Sequence, residues 1–140
     1  MTGEDWLLAL HLLSAVALGA AVTGFWAVFL GTRTAEEGSL PAAAVARLNG
    51  PLTVAVAVGG IGTIVFGVWL AIVGGAYHVW DGWIIAAIVL WAAGMGLGQR
   101  AGTAFERGGP ADRRSGLLLQ GGSTVAILVV LVLMIWKPGA

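Results

Sequence analysis

Most of the usual instruments of protein chemistry are missing from this chain. There is no cysteine among its 140 residues, which excludes disulfides, thiolate metal sites, iron–sulfur clusters and cysteine nucleophiles together. Charged residues make up only 10%, against about a quarter in soluble domains, so a soluble fold is excluded. Seven basic residues balance seven acidic ones, and no basic surface points to nucleic acid. No Lys or Arg precedes the first apolar run; Glu4 and Asp5 stand there instead, which argues against a cleavable signal peptide and for a retained helix.

What is present in abundance is apolar surface: 59% hydrophobic residues and a mean hydropathy of +0.94. One membrane domain over residues 1–140 is expected, as an all-α polytopic bundle of four helices in the lipid bilayer, spanning about 6–31, 51–74, 83–98 and 117–136. The third apolar stretch is short for a crossing, and the helix is expected to run on as a solvated extension towards Glu106. Ser39 followed by Pro41 predicts a short helix before the second span, broken by Asn49, Gly50 and Pro51. Residues 108–115, with Pro110, Arg113 and Arg114, read as a loop.

Six of the seven basic residues, Arg33, Arg47, Arg100, Arg107, Arg113 and Arg114, fall in the first and third connections. The positive-inside rule then puts both termini outside, in a bacterial inner (plasma) membrane. Trp6, Trp69, Trp80, Trp83 and Trp136 fall near the outer boundary, as an aromatic belt would.

Small residues recur every four positions: Gly59, Thr63, Gly67, Ala71 and Gly75 in the second span, and His11, Ala15, Gly19, Thr23 and Ala27 in the first. Gly94 and Gly98 stand likewise in the third. Such rows let helix backbones come close. They predict packing of the chain against itself as a homo-oligomer or against a larger membrane complex.

The chemistry is sparse. His11 is the only ionisable group inside a span, so the stepping stones of an ion-coupled transporter are missing. No carboxylate completes a triad with Ser14 and His11. The topology expects His11, His78 and Met134 on one side of the membrane, where His–His or His–Met ligation of a haem b is conceivable. Another candidate set for copper or zinc is His11, His78 and Asp81. Against these stands the plainer reading, in which His11 bonds a neighbouring helix through Ser14, Tyr77 or a carbonyl, and Asp81 caps the third helix.

Leu10-His11-Leu12-Leu13, the glycine-rich second helix with its Trp-containing turn, and Met134-Ile135-Trp136-Lys137-Pro138 resemble small bacterial four-helix membrane proteins, distantly like the copper-resistance D and HemJ-type membrane proteins. The resemblance implies a four-helix membrane fold, with any haem or copper role passing through His11. The leading expectation is a non-catalytic membrane subunit or scaffold. A haem- or metal-binding redox protein using His11, and an oligomeric small-solute channel, stay open beside it.

Overall fold

The computed structural model describes residues 2–31, 40–74, 78, 80–107 and 109–136, with the backbone alone for 40–46. It is all-α: α1 (Gly3–Gly31), α2 (Leu40–Val73), α3 (Gly82–Arg107) and α4 (Pro110–Trp136). Each helix is long and apolar enough to cross a membrane. Leucine, valine and isoleucine side chains stay exposed along all four, among them Leu13, Val16, Val54, Val58, Ile61, Val89, Leu118 and Val132. Helices that are hydrophobic on almost every side need a hydrocarbon solvent. The protein is a multi-pass membrane protein, as the composition predicts.

The chain divides into two compact units, Met1–Gly74 and Gly75–Ala140, each an antiparallel helical hairpin. In the first, α1 starts with a capping box: the Thr2 amide donates to Asp5 Oδ2 (2.7 Å) and the Asp5 amide to Thr2 Oγ1 (3.4 Å), satisfying two of the free amides at the helix start.

At two places the helices run further than expected. α2 passes through Asn49, Gly50 and Pro51 without a break. Proline removes one backbone bond, while Thr53 Oγ1 donates back to the Asn49 carbonyl at 2.8 Å and holds the same turn. α4 begins at Pro110 rather than near Leu117. Pro110 occupies the first helical position, where its missing N–H costs nothing, and the Gly109 carbonyl accepts the Arg113 amide at 2.8 Å. Hydropathy marks where a helix enters lipid, and these helices continue beyond that level.

Within the first hairpin, Trp6 on α1 and Trp69 on α2 lie at the end opposite Arg47. Within the second, Trp80, Trp83 and Trp136 lie opposite Arg100, Arg107, Arg113 and Arg114. Each hairpin thus has an arginine end with tryptophans at the opposite end, while Trp26 lies towards the arginine end of the first.

Candidate functional site

The crossing of α1 on α2 sets the geometry around His11. The face of α1 that meets α2 runs through His11, Ser14, Leu18, Ala21, Phe25 and Val28, at steps of three and four residues; Leu18, Ala21 and Val28 are buried. Opposite His11, Ser14 and Leu18 the positions on α2 are glycines, whereas towards the other end the glycine is on α1, where a Cβ at Gly24 would lie 2.6 Å from Leu52 Cδ2. A Cβ at Gly59 would lie 2.8 Å from the Leu18 backbone nitrogen and 3.0 Å from the Ser14 carbonyl oxygen. One at Gly62 would lie 3.0 Å from Ser14 Cβ, and Ser14 Oγ is closer still. Only glycine allows backbone to approach backbone in this way.

One turn further along, Gly67 makes room for the imidazole. Its Cβ position lies 2.9 Å from His11 Cε1 and 3.1 Å from Nδ1. A helical side chain covers the turn preceding it, so glycine at 67 uncovers the Thr63 carbonyl, which sits 3.0 Å from His11 Nδ1. A carbonyl oxygen only accepts, so Nδ1 carries a proton and donates, and Nε2 is the ring nitrogen left for another partner. Local hydroxyls do not compete for the ring: Thr63 Oγ1 donates to the Gly59 carbonyl (2.7 Å) and Ser14 Oγ to the Leu10 carbonyl (2.8 Å). Of the three partners considered for His11, a carbonyl is the one found; Tyr77 lies outside the described residues.

The other candidate ligands belong to the second hairpin. His78 is exposed, and its amide donates to Asp81 Oδ2 at 3.0 Å. The Asp81 amide returns a bond to the His78 carbonyl (2.8 Å), and the Asp81 carbonyl accepts Ile84 (2.9 Å) and Ile85 (3.2 Å). Asp81 is therefore the N-cap of α3, and its carboxylate closes the preceding turn. Met134 is half-buried on α4. Among the described residues, no group of three or more His, Cys, Asp or Glu side chains is disposed to hold a metal ion.

The small-residue positions divide. Gly59 and Thr63 are buried, Gly67 and Ala71 half-buried, and the first three face α1 or its histidine. Gly19 is exposed with nothing within 4 Å of its Cβ position, and Thr23 is exposed with its hydroxyl on the Gly19 carbonyl (2.9 Å). In the second hairpin a Cβ at buried Gly94 would meet Ala126 Cβ at 3.2 Å, and one at Gly98 would meet Ser123 Oγ at 3.2 Å.

Four contacts carry weight that the four-residue rows do not indicate: Ser14 against Gly62, Leu18 against Gly59, Leu52 against Gly24, and Phe105 over Gly116, whose Cβ position is 2.6 Å from the ring. The signal that marks Ser14 and Leu18 is the alternating three-and-four spacing from His11. Comparison with protein-family models, curated proteins and solved structures gives no match.

Proposed function

We propose that the protein is a non-catalytic membrane subunit that packs, through small-residue helix faces, against copies of itself or against a larger membrane complex. One observation carries this reading. Ala15, Gly19, Thr23 and Ala27 form a smooth strip on α1 that α2 does not cover: three of the four are exposed, and Gly19 has open space where a side chain would begin. A strip of this kind suits another helix better than it suits lipid, because close backbone approach gains dispersion contacts that mobile acyl chains do not supply.

The test is purification in mild detergent with chemical crosslinking. The chain is expected to run as a particle larger than one chain plus its micelle, or with a constant partner. Gly19→Ile should return it to single-chain size while its helical circular dichroism stays intact. A wild-type chain that is monomeric and copurifies with nothing would contradict the proposal.

A second reading has its own support. A metal-bound imidazole is commonly oriented by donating its other ring N–H to a backbone carbonyl, and His11 donates Nδ1–H to Thr63. The residue is thereby pre-set to offer Nε2 to a haem iron or to copper. This reading predicts a Soret band, or stoichiometric copper, in the purified chain, lost in His11→Ala. Absence of both from the wild-type protein would remove it.

A further inference from the structure

The arginine end of the second hairpin is built more firmly than a solvated turn requires. Beyond the apolar stretch of α3 the two helices stay packed: Ala101 has no exposed surface, Ala104 and Gly116 are buried, and Phe105 lies over Gly116. From this fixed frame Arg100, Arg107, Arg113 and Arg114 all project, exposed. Two acids share the end, Glu106 and Asp112. Asp112 is turned back on its own helix start, with Oδ2 3.0 Å from the Gly109 Cβ position, where a carboxylate favours the free amides of the first turn. Positive charge is left in excess.

Depth gives this charge its meaning. The contacts of Phe105 with Gly116 and of Leu97 with Gly122 set the register of the hairpin and place Leu118 at about the height of Thr103. Leu118 is 71% exposed, a leucine that water would not favour at that level, and Arg100 lies about one turn nearer the tryptophan end of the hairpin. The three arginines at the tip stand roughly 10 Å further out. An arginine at the depth of lipid-facing leucine must reach an anion or water along its own stem, and at that depth the anion a bilayer supplies is lipid phosphate. One turn below Arg100, Gly96 is exposed with nothing within 4 Å of its Cβ position, so the helix surface there is open to a lipid.

We propose that this end of the second hairpin binds the headgroup phosphate of an anionic phospholipid, with Arg100 at the phosphate and Arg107, Arg113 and Arg114 around the headgroup. The planar guanidinium is suited to two-pronged bonding of phosphate oxygens, and each arginine near an anionic headgroup surface is worth about a fivefold change in binding. The proposal depends on the hairpin alone and stands apart from the subunit reading.

Native mass spectrometry of the full chain, released from non-ionic detergent with equal amounts of phosphatidylglycerol and phosphatidylcholine of matched acyl chains, tests it. The expected result is retention of the anionic lipid by about a hundredfold or more over the zwitterionic one, since four arginines act together. The R100Q/R113Q/R114Q variant, left with Arg107, should fall to about fivefold or less, while R47Q, in the first hairpin, should keep the wild-type preference. Should the triple variant lose its helical spectrum, R100Q alone is the comparison, with a loss of about fivefold expected. No preference in the wild-type chain, a preference that the arginine substitutions leave undiminished, an equal loss in R47Q, or displacement of the lipid by inorganic phosphate would each overturn it.

Discussion

The two hairpins meet the same difficulty by different means. Lipid is as apolar as leucine, so two helices in a bilayer gain nothing by hiding hydrophobic side chains from it and must be held by close fit and polar bonds. In the first hairpin the fit is backbone against backbone, at Gly59 with Ser14 and Leu18, and the polar bond is the one between His11 and the Thr63 carbonyl. In the second, small side chains meet side chains, Gly94 against Ala126 and Gly98 against Ser123. Its buried polar residues, Gln120 and Ser123, lie towards the arginine end. At Gly59 the first arrangement tolerates no added atom, whereas at Gly94 and Gly98 the second can yield by a few tenths of an ångström and is equally tight only at Gly116, under Phe105. Substitutions should separate the two.

The largest effect is expected at Gly59. An alanine there meets backbone atoms that move only if the helices part, so Gly59→Ala should cost about 2–3 kcal/mol of hairpin stability, read by unfolding in mixed micelles of increasing sodium dodecyl sulfate. Gly94→Ala, whose new methyl meets the Ala126 methyl at 3.2 Å and reaches the Ser123 carbonyl oxygen (3.5 Å) and Ile127 Cγ1 (3.7 Å) at ordinary contact distance, should cost less than about 1 kcal/mol. Equal losses would erase the distinction between the hairpins.

Next in size come Gly67→Ala and His11→Ala. The first pushes the imidazole off the Thr63 carbonyl, and the second removes it, so each forfeits an interhelical bond of about 0.6–1.7 kcal/mol. Because both break the same contact, the double variant should lose clearly less than the sum of the two single losses; simple additivity would mean that the bond contributes nothing.

Smaller still, Gly19→Ala should leave the stability of the isolated chain within about 0.5 kcal/mol of wild type, since its methyl enters open space. A large loss there would place Gly19 in the hairpin interface. Trp91 gives a change of opposite sign. Its indole nitrogen is buried on α3 with no hydrogen-bond partner among the described residues, and an orphaned buried donor is costly. Trp91→Phe should therefore be neutral or slightly stabilising in the same unfolding assay, and a clear loss would reveal a partner for the indole.

These cases also show what the amino-acid order makes legible. Four apolar stretches, with tryptophans at one end of each hairpin and arginines at the other, are visible directly, because the bilayer imposes length and hydropathy on every crossing. The packing faces are harder to see. A strict four-residue row advances about 40° around a helix at each step. Gly59, Thr63 and Gly67 straddle the centre of their contact face and so stay on it. The row from His11 starts at one edge of its face and advances away from it, so Gly19 and Thr23 leave the contact while Ser14 and Leu18 stay in it. Capping was legible at Asp81, where an acid precedes an apolar run. The start of α4 at Pro110 was hidden by the charge around it, since hydropathy is silent about helices in water. A carbonyl was among the partners expected for His11, but which one could not be read: every residue carries one, and only the glycine at 67 selects which is uncovered.

The close crossing of α1 on α2 is the feature on which the rest depends, and the absence of native cysteine makes it directly measurable. Ser14→Cys with Gly62→Cys places two thiols where the Cβ positions are 3.0 Å apart, slightly nearer than the roughly 3.5–4.5 Å of disulfide-bonded residues. Mild oxidation in membranes should close a bridge within one chain, seen as faster migration without reductant and no doubling of mass. The pair Gly19→Cys with Gly62→Cys should stay reduced. A chain that forms no internal bridge at 14 and 62, or that bridges 19 to 62 just as readily, would contradict the account.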